Sequence, residues 1–505
     1  MKWLLLALAG CSSTPVVSDA GFDAGSQDVA APDVKSDTST CGDGKKDGDE
    51  TDVDCGGSCA KCNDGQACVL ESDCASQRCS ASVCGVRAWS VESLGSNLTI
   101  PGNQTWTSGA PSGLYLTPTL YAPSLVYLRW TGTLRFAGGG NGICHVGQRF
   151  LIDDVPTGDP SWGNAIMVEN GSTRWHETFT TEIAVPLGLG LHTIGVQMVN
   201  AMNYGNCYLD GDGGTPYDRS RLAVAAYDST DAFYAESTGD TGPIMGSPNW
   251  VDIPGVAISI NLAAPKHVQM SLTGTEYVAG AGPAYCSYRF VIDGAPLGDA
   301  TYGQALAVND PNTGWWSPVA IKWGQDMTAG AHTIKAQLSN TSPSGSCAAG
   351  QGNNGYAKFR LFATQSAQGG PNASVESTGG PNVLGSTSAW TPVGLDAAFS
   401  VTAPTHVQLE MAGTEVTTTG TSGHCSWRFV LDGAPLGDPS YGQVINVGAT
   451  ATAWWTPAAL LYGETLPAGK HTVSVEVRNS SSSGDCGTNG DAKGYGRSRL
   501  FVRVP

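Results

Sequence analysis

Cys425-Ser426-Trp427-Arg428-Phe429-Val430-Leu431-Asp432-Gly433 alternates strictly, with Cys425, Trp427, Phe429 and Leu431 on one parity and Ser426, Arg428, Val430 and Asp432 on the other. Successive side chains of a strand point to opposite faces, so the stretch predicts a half-buried β-strand. Asp432-Gly433 then supplies turn chemistry, because Asp tolerates and Gly favours positive φ. The same string stands earlier as Cys286, Tyr288, Phe290 and Ile292, followed by Asp293-Gly294. In a first copy the turn reads Asp153-Asp154, without the glycine.

Working outward, the chain proves to contain three copies of one unit. Glu92-Ser93 matches Glu236-Ser237 and Glu376-Ser377; Ala122-Pro123 matches Ala264-Pro265 and Ala403-Pro404; His192-Thr193 matches His332-Thr333 and His471-Thr472. The period of roughly 140 residues makes each copy a whole domain rather than a solenoid unit. A second alternating run, His471 to Val477, follows the turn Leu466–Lys470, and Leu500, Val502 and Val504 mark a closing strand. No stretch has a convincing helical period. The expectation is therefore an all-β chain: three tandem antiparallel β-sandwich domains at 86–230, 231–368 and 369–505, after a small disulfide-rich module at 41–85. Each copy has two cysteines about 60 residues apart, which we expect to pair within the copy: Cys144 with Cys207, Cys286 with Cys347, and Cys425 with Cys486. Closing a loop of that size contributes about 4 kcal/mol in the chain-entropy model.

A strand ending in Asp-Gly, an Ala-Gly-x-His-Thr start to an alternating strand and a last Arg-Leu-x-Val strand resemble the jelly-roll domains of the C1q and tumour-necrosis-factor type. That resemblance implies a ten-strand, jelly-roll-like sandwich used in adhesion or recognition, often as a trimer. A carbohydrate-binding-module sandwich gives much the same string, and the choice stays open here.

Between residues 41 and 85 eight cysteines, Cys41, Cys55, Cys59, Cys62, Cys68, Cys74, Cys79 and Cys84, crowd a stretch with scarcely an apolar side chain. Covalent bonds have to replace the missing core, so four disulfides are expected, in a connectivity that spacing does not reveal. Zinc at Cys59-Ala60-Lys61-Cys62 is the competing reading. Cys41-Gly-Asp-Gly through Asp54-Cys55-Gly-Gly resembles a cysteine-rich module of surface lipoproteins of myxobacterial type, which implies location rather than chemistry. Asp43, Asp47 and Asp54 fall at positions 1, 5 and 12 of an EF-type loop with Gly48 at position 6, so calcium is the one cofactor to consider. Lys45 at position 3 and the short Asp54 at position 12 favour a merely acidic loop; otherwise no cofactor is expected.

The N-terminus places the chain outside the cytoplasm. Lys2, an apolar run from Trp3 to Ala9, and Leu8-Ala9-Gly10-Cys11 resemble the signal peptide and lipobox of bacterial lipoproteins. The resemblance implies removal of residues 1–10 and acylation of Cys11, so that the chain partners a membrane through a lipid anchor. Ser12, not Asp, follows the cysteine, which by the sorting rule of such lipoproteins implies the outer membrane; cell-surface display is expected. Residues 11–40, rich in Ser, Pro, Ala, Asp and Gly, read as anchor and flexible tether. With Cys11 set aside the remaining cysteines are even in number, as an oxidising compartment requires. A net charge of −18 disfavours nucleic acid and anionic membrane surfaces as partners, since both need a basic patch.

For chemistry the sequence offers little. His192, His332 and His471 recur, but each has the parity of the apolar residues of its own strand. Asp153, Asp293 and Asp432 recur at turns, and no second carboxylate recurs nearby as glycoside hydrolysis needs. Nucleophile-elbow, zinc-protease and phosphate-loop motifs are absent, so no enzyme is expected. Aromatic residues are the better lead. Trp315-Trp316 and Trp454-Trp455 occupy matching places, with Trp175-His176 in the first copy. Neighbours in a strand face opposite sides, so one tryptophan of each pair is a core residue and the other a candidate platform for a sugar, unless both pack under loops. The leading expectation is a surface binding or adhesion protein whose repeats engage polysaccharide, or another surface protein, with avidity. The alternatives are a structural envelope protein without a ligand and a hydrolase with a site between repeats.

Overall fold

The structure is a computed structural model. It describes residues 41–505 apart from 76–78, 81, 86, 96–97, 110–112, 138–142, 171–175, 202–205, 210–218, 281, 310–314, 351–354, 379–381, 387, 418–422, 448–453, 482–483 and 489–494. The signal peptide, Cys11, the tether and Trp175 thus lie outside the described residues, as do all statements about the side chains of Trp315, Trp454 and Trp455.

The chain is all-β: 64% strand, with no α-helix among the described residues. Each repeat is a jelly-roll-like sandwich of two antiparallel sheets, seen most simply in the third. One sheet runs Ala373–Glu376, Arg499–Arg503, Thr405–Thr417 and Trp454–Leu466, prolonged at its far end by Cys486–Thr488 and Asn382–Leu384. The other runs Thr391–Val401, Gly469–Asn479 and His424–Leu431, with Val444–Val447 beside the last. Alternation explains the core: Cys425, Trp427, Phe429 and Leu431 are all buried, with Val473, Val475 and Val477 of the neighbouring strand. Across the sandwich they meet Leu409, Met411 and Leu500. The first and second repeats have equivalent cores, around Trp130 and Phe150 and around Phe290 and Phe359. Disulfides Cys144–Cys207, Cys286–Cys347 and Cys425–Cys486 staple sheet to sheet inside each repeat.

In the cysteine-rich module the bonds are Cys41–Cys59, Cys55–Cys62, Cys68–Cys79 and Cys74–Cys84. Cys59 and Cys62 belong to different disulfides, which removes the zinc alternative. The module packs beside the first repeat, where its Gly65 and Gly85 lie against the Tyr121 ring; an added Cβ at Gly85 would come within 2.7 Å of it.

The three sandwiches do not hang as beads. Strand Ala165–Asn170 of the first packs on Trp315–Met327 of the second, Ala305–Asn309 of the second on Trp454–Leu466 of the third, and Val444–Val447 of the third on His176–Leu187 of the first. The last contact closes the set into a ring with pseudo-threefold character. Three equivalent arginines repeat it in hydrogen bonds. Arg360 Nη1 donates to the Asn164 carbonyl at 2.8 Å, Arg499 Nη1 to that of Gln304 at 3.1 Å, and Arg221 Nη1 to that of Gln443 at 3.5 Å. Glu236, Glu376 and Glu92 hold the three guanidinium groups in place. The repeats thus cover part of one another's sheet faces, an arrangement that their tandem order alone does not specify.

Where the repeats meet on the axis, equivalent positions carry different residues. Seven residues past the Ala of each Ala-Pro pair stand Arg129, Ser271 and Glu410; ten residues before each recurrent histidine stand Glu182, Lys322 and Leu461. Lys322 bonds Glu182 at 3.2 Å and also Glu410; Arg503 bonds Glu410 at 2.7 Å, and Arg129 joins them. Ser271 Oγ donates to Glu182 at 2.7 Å, and the Tyr127 hydroxyl also donates to Glu182. None of the five charged side chains is more than 4% exposed. Burial pushes Lys322 down to about 8, against the pull of Glu182. Keeping it charged at neutral pH therefore costs stability, as is general for buried ion pairs. What the network supplies is register: three identical copies would bring like charges together on the axis, whereas one chain with three different copies pairs them.

Candidate functional site

The recurrent histidines occupy one geometry three times. His192 Nδ1 lies 2.8 Å from Asp153 Oδ2, and His332 and His471 lie 2.7 Å from Asp293 and Asp432. Each Nε2 faces a backbone carbonyl, of Gly188, Thr328 or Pro467, at 2.9 Å. The second carboxylate oxygen accepts the N–H of Thr193, Thr333 or Thr472 at 2.8 Å. With acceptors at both nitrogens the imidazolium form is the satisfied one. At His332 and His471 the bond to Asp is the main reason the pKa rises, while at His192 burial opposes the charge and is outweighed by Asp153. Asp293 is lowered chiefly by His332; at Asp153 and Asp432 burial opposes ionisation, yet the histidine and threonine donors win. These clasps hold tight turns in which Asp153, Asp293 and Asp432 have φ near 50°. They leave neither histidine nitrogen free for a substrate.

A pH signature follows. The raised histidines stabilise the fold fully below about pH 6.5, and that contribution fades as pH rises through their folded values; the lowered aspartates contribute above about pH 4 and fade as pH falls. The variant His192→Gln/His332→Gln/His471→Gln is therefore expected to lose most Tm relative to the parent between about pH 4 and 6.5, with the gap narrowing steadily toward pH 8.5. A gap independent of pH, measured by thermal melts of both proteins in matched buffers, would mean the clasps hold neutral histidine.

The calcium positions do not converge. Asp54 accepts the N–H groups of Gly42 and Gly44 at 2.9 Å, and Asp43 accepts that of Lys45 at 2.8 Å. Among the described residues, Asp43, Asp47 and Asp54 form no group close enough to share an ion. Backbone N–H groups thus occupy Asp54 and one oxygen of Asp43.

The backbones of Trp315–Trp316 and Trp454–Trp455 begin their strands opposite Val278 and Thr417, at the end of the ring away from the cysteine-rich module. Trp316 is half-buried, its ring 4.8 Å from Tyr277 and 5.3 Å from Tyr356, and Tyr356 reaches Trp162 of the first repeat at 5.9 Å. Tyr302 and Tyr495, 4.9 Å apart, make the corresponding contact between the second and third repeats. Trp316 thus packs at a repeat junction, half-buried between Tyr277 and Tyr356.

One recurrent set escaped the sequence reading. Trp106, Trp250 and Trp390 donate their indole N–H to the carbonyls of Pro160, Ala300 and Pro439 at 3.1, 3.0 and 2.9 Å. Arg149, Arg289 and Arg428 lie over the three rings at 3.7, 4.0 and 4.1 Å. The signal was present as Gly158-Asp159-x-x-Trp162-Gly163 and its copies at 298–303 and 437–442. Its purpose is local: Trp, Arg and the Asp-capped turn lock one another on the outer sheet. At the module end of the ring a polar cavity of about 420 Å³ lies among all three repeats, lined by Arg87, Asp231, Lys266, Asn372 and Thr405, with Glu71 of the module on its wall.

No protein-family model matches the chain, and no curated protein matches it. Solved structures resemble it only remotely. The tandem CBM22 domains of Paenibacillus barcinonensis Xyn10C share 8% identity over 55% of this chain and 91% of theirs, with a TM-score of 0.16. PNGF-II shares 10% over 75% and 98%, with a TM-score of 0.24. An infectious bursal disease virus particle protein shares 10% over 83% and 77%, with a TM-score of 0.15.

Proposed function

We propose that this chain is a lipid-anchored, extracytoplasmic binding protein that presents three non-identical β-sandwich repeats as one rigid head and recognises polysaccharide through Trp315 and Trp454. The observation that carries the reading is polarity of the molecule: the cysteine-rich module sits at one end of the ring, and the matching tryptophans start their strands at the other. The long strands between, such as Ser124–Ala137, span about 45 Å. A ring closed by its own contacts presents its binding loops without the ordering cost that flexible beads incur.

The test is retention of the oxidised chain from Ser12 onward on a panel of immobilised polysaccharides, beside Trp315→Ala/Trp454→Ala. Loss of two aromatic contacts is expected to weaken binding about tenfold or more, at roughly 1.4 kcal/mol per decade. Trp316→Ala, which opens a repeat junction, is instead expected to lower Tm. Retention unchanged in the folded double variant, or none on any glycan, would move the assignment to a structural or protein-binding role.

A further inference from the structure

Six aliphatic side chains among the described residues are more than 60% exposed: Val69 at 76%, Leu70 at 62%, Leu94 at 73%, Val155 at 64%, Leu189 at 71% and Leu191 at 67%. All but Leu94 lie at the module end of the ring. Leu189 and Leu191 flank Gly190 in the loop that joins His176–Leu187 of one sheet to Ile194–Asn200 of the other, where Gly190-Leu191 pairs Leu120-Thr119, and the next residue, Tyr121, is the one on which the module rests. Val155 follows the Asp153-Asp154 turn that His192 clasps to the same loop. The loop projects freely, since a Cβ added at Gly188 or Gly190 would meet nothing within 4 Å.

The other two repeats provide an internal control. They build the same connecting loop and clasp, yet carry Ala329, Ala331 and Ala295 in the second and Ala468, Lys470 and Ala434 in the third. Exposed leucine is thus no requirement of the fold, and it appears only in the repeat against which the tether-bearing module packs. We propose that Val155, Leu189 and Leu191 dip into the zwitterionic lipid surface beside the anchor, so that the ring stands on its first repeat with the tryptophan end outward. The inference rests on the lipid-anchor reading of Cys11. Three side chains fall short of the roughly 800 Å² per partner of a stable protein interface, whereas a lipid surface requires no complementary shape. The chain's charge of −18 selects neutral over anionic headgroups.

The experiment is flotation of the oxidised chain from Ser12 onward, which keeps every described residue but not the anchor, with phosphatidylcholine/phosphatidylethanolamine vesicles. Val155→Ser/Leu189→Ser/Leu191→Ser is expected to float at least fivefold less, with an unchanged circular dichroism spectrum, and Ala329→Leu/Ala331→Leu to float more. Equal flotation of parent and serine variant, or none of either, overturns the proposal. Sedimentation velocity of the same samples exposes the rival occupant: a dimer that the serine variant abolishes would assign the patch to a second copy of the chain. Palmitate labelling of the full chain beside Cys11→Ser reads the anchor separately, so failure of one reading is not mistaken for failure of the other.

Discussion

Lys322→Leu is expected to destabilise the ring by about 3–5 kcal/mol, while Glu182→Leu/Lys322→Leu recovers more than half of that loss. The single change removes the cation that lies 3.2 Å from Glu182 and also bonds Glu410. Glu410 keeps Arg129 and Arg503. Glu182 keeps only the neutral donors Tyr127 and Ser271 within hydrogen-bond distance, and an uncompensated buried carboxylate is the costly outcome. The double variant places leucine at all three equivalent positions, since Leu461 already occupies the third. It removes one charge of each sign, so the balance on the axis is unchanged. Urea unfolding followed by tryptophan fluorescence measures both. Equal losses in single and double variants would show that the packing of Lys322, and not its charge, matters there.

Cys425→Ala/Cys486→Ala is expected to cost about 2–5 kcal/mol. Both cysteines are fully buried, and they join His424–Leu431 of one sheet to Cys486–Thr488 of the other across 61 residues. The loss arises mainly in the unfolded chain, which regains the freedom of a large loop. Because the third repeat is gripped by both neighbours, through Arg499 and Gln443, its weakening is expected to lower the midpoint of one shared transition. A separate early transition in calorimetry, followed by an unshifted main one, would mean that the repeats unfold independently.

The fold class was legible because its signals are local. A period of two in Cys425 to Leu431 and Asp-Gly at the turn depend on neighbours within a few residues, and the three-fold recurrence of Glu-Ser, Ala-Pro and His-Thr needs only comparison of the chain with itself. The candidate site was less legible. Parity divides Trp315 from Trp316 but does not say that Tyr356 and Tyr277 will close over Trp316. Composition made Asp43, Asp47 and Asp54 look like ligands, whereas the backbone amides of Gly42, Gly44 and Lys45 claim two of those carboxylates. The Trp106, Trp250 and Trp390 latches were missed for want of a partner in sequence, since each ring meets an arginine about 40 residues away.

By itself, then, the sequence determined an all-β chain of three like sandwiches behind a disulfide-held module, because alternation, turn chemistry and repetition are written along the chain. Only the tertiary structure decided that the sandwiches close into one ring, that Arg129, Glu182, Lys322, Glu410 and Arg503 meet in one buried network on its axis, and that Leu189 and Leu191 stay exposed beside the module. Those outcomes depend on contacts between residues up to several hundred positions apart, and burial turns the identity of each such neighbour into a difference of several kcal/mol that no local pattern records.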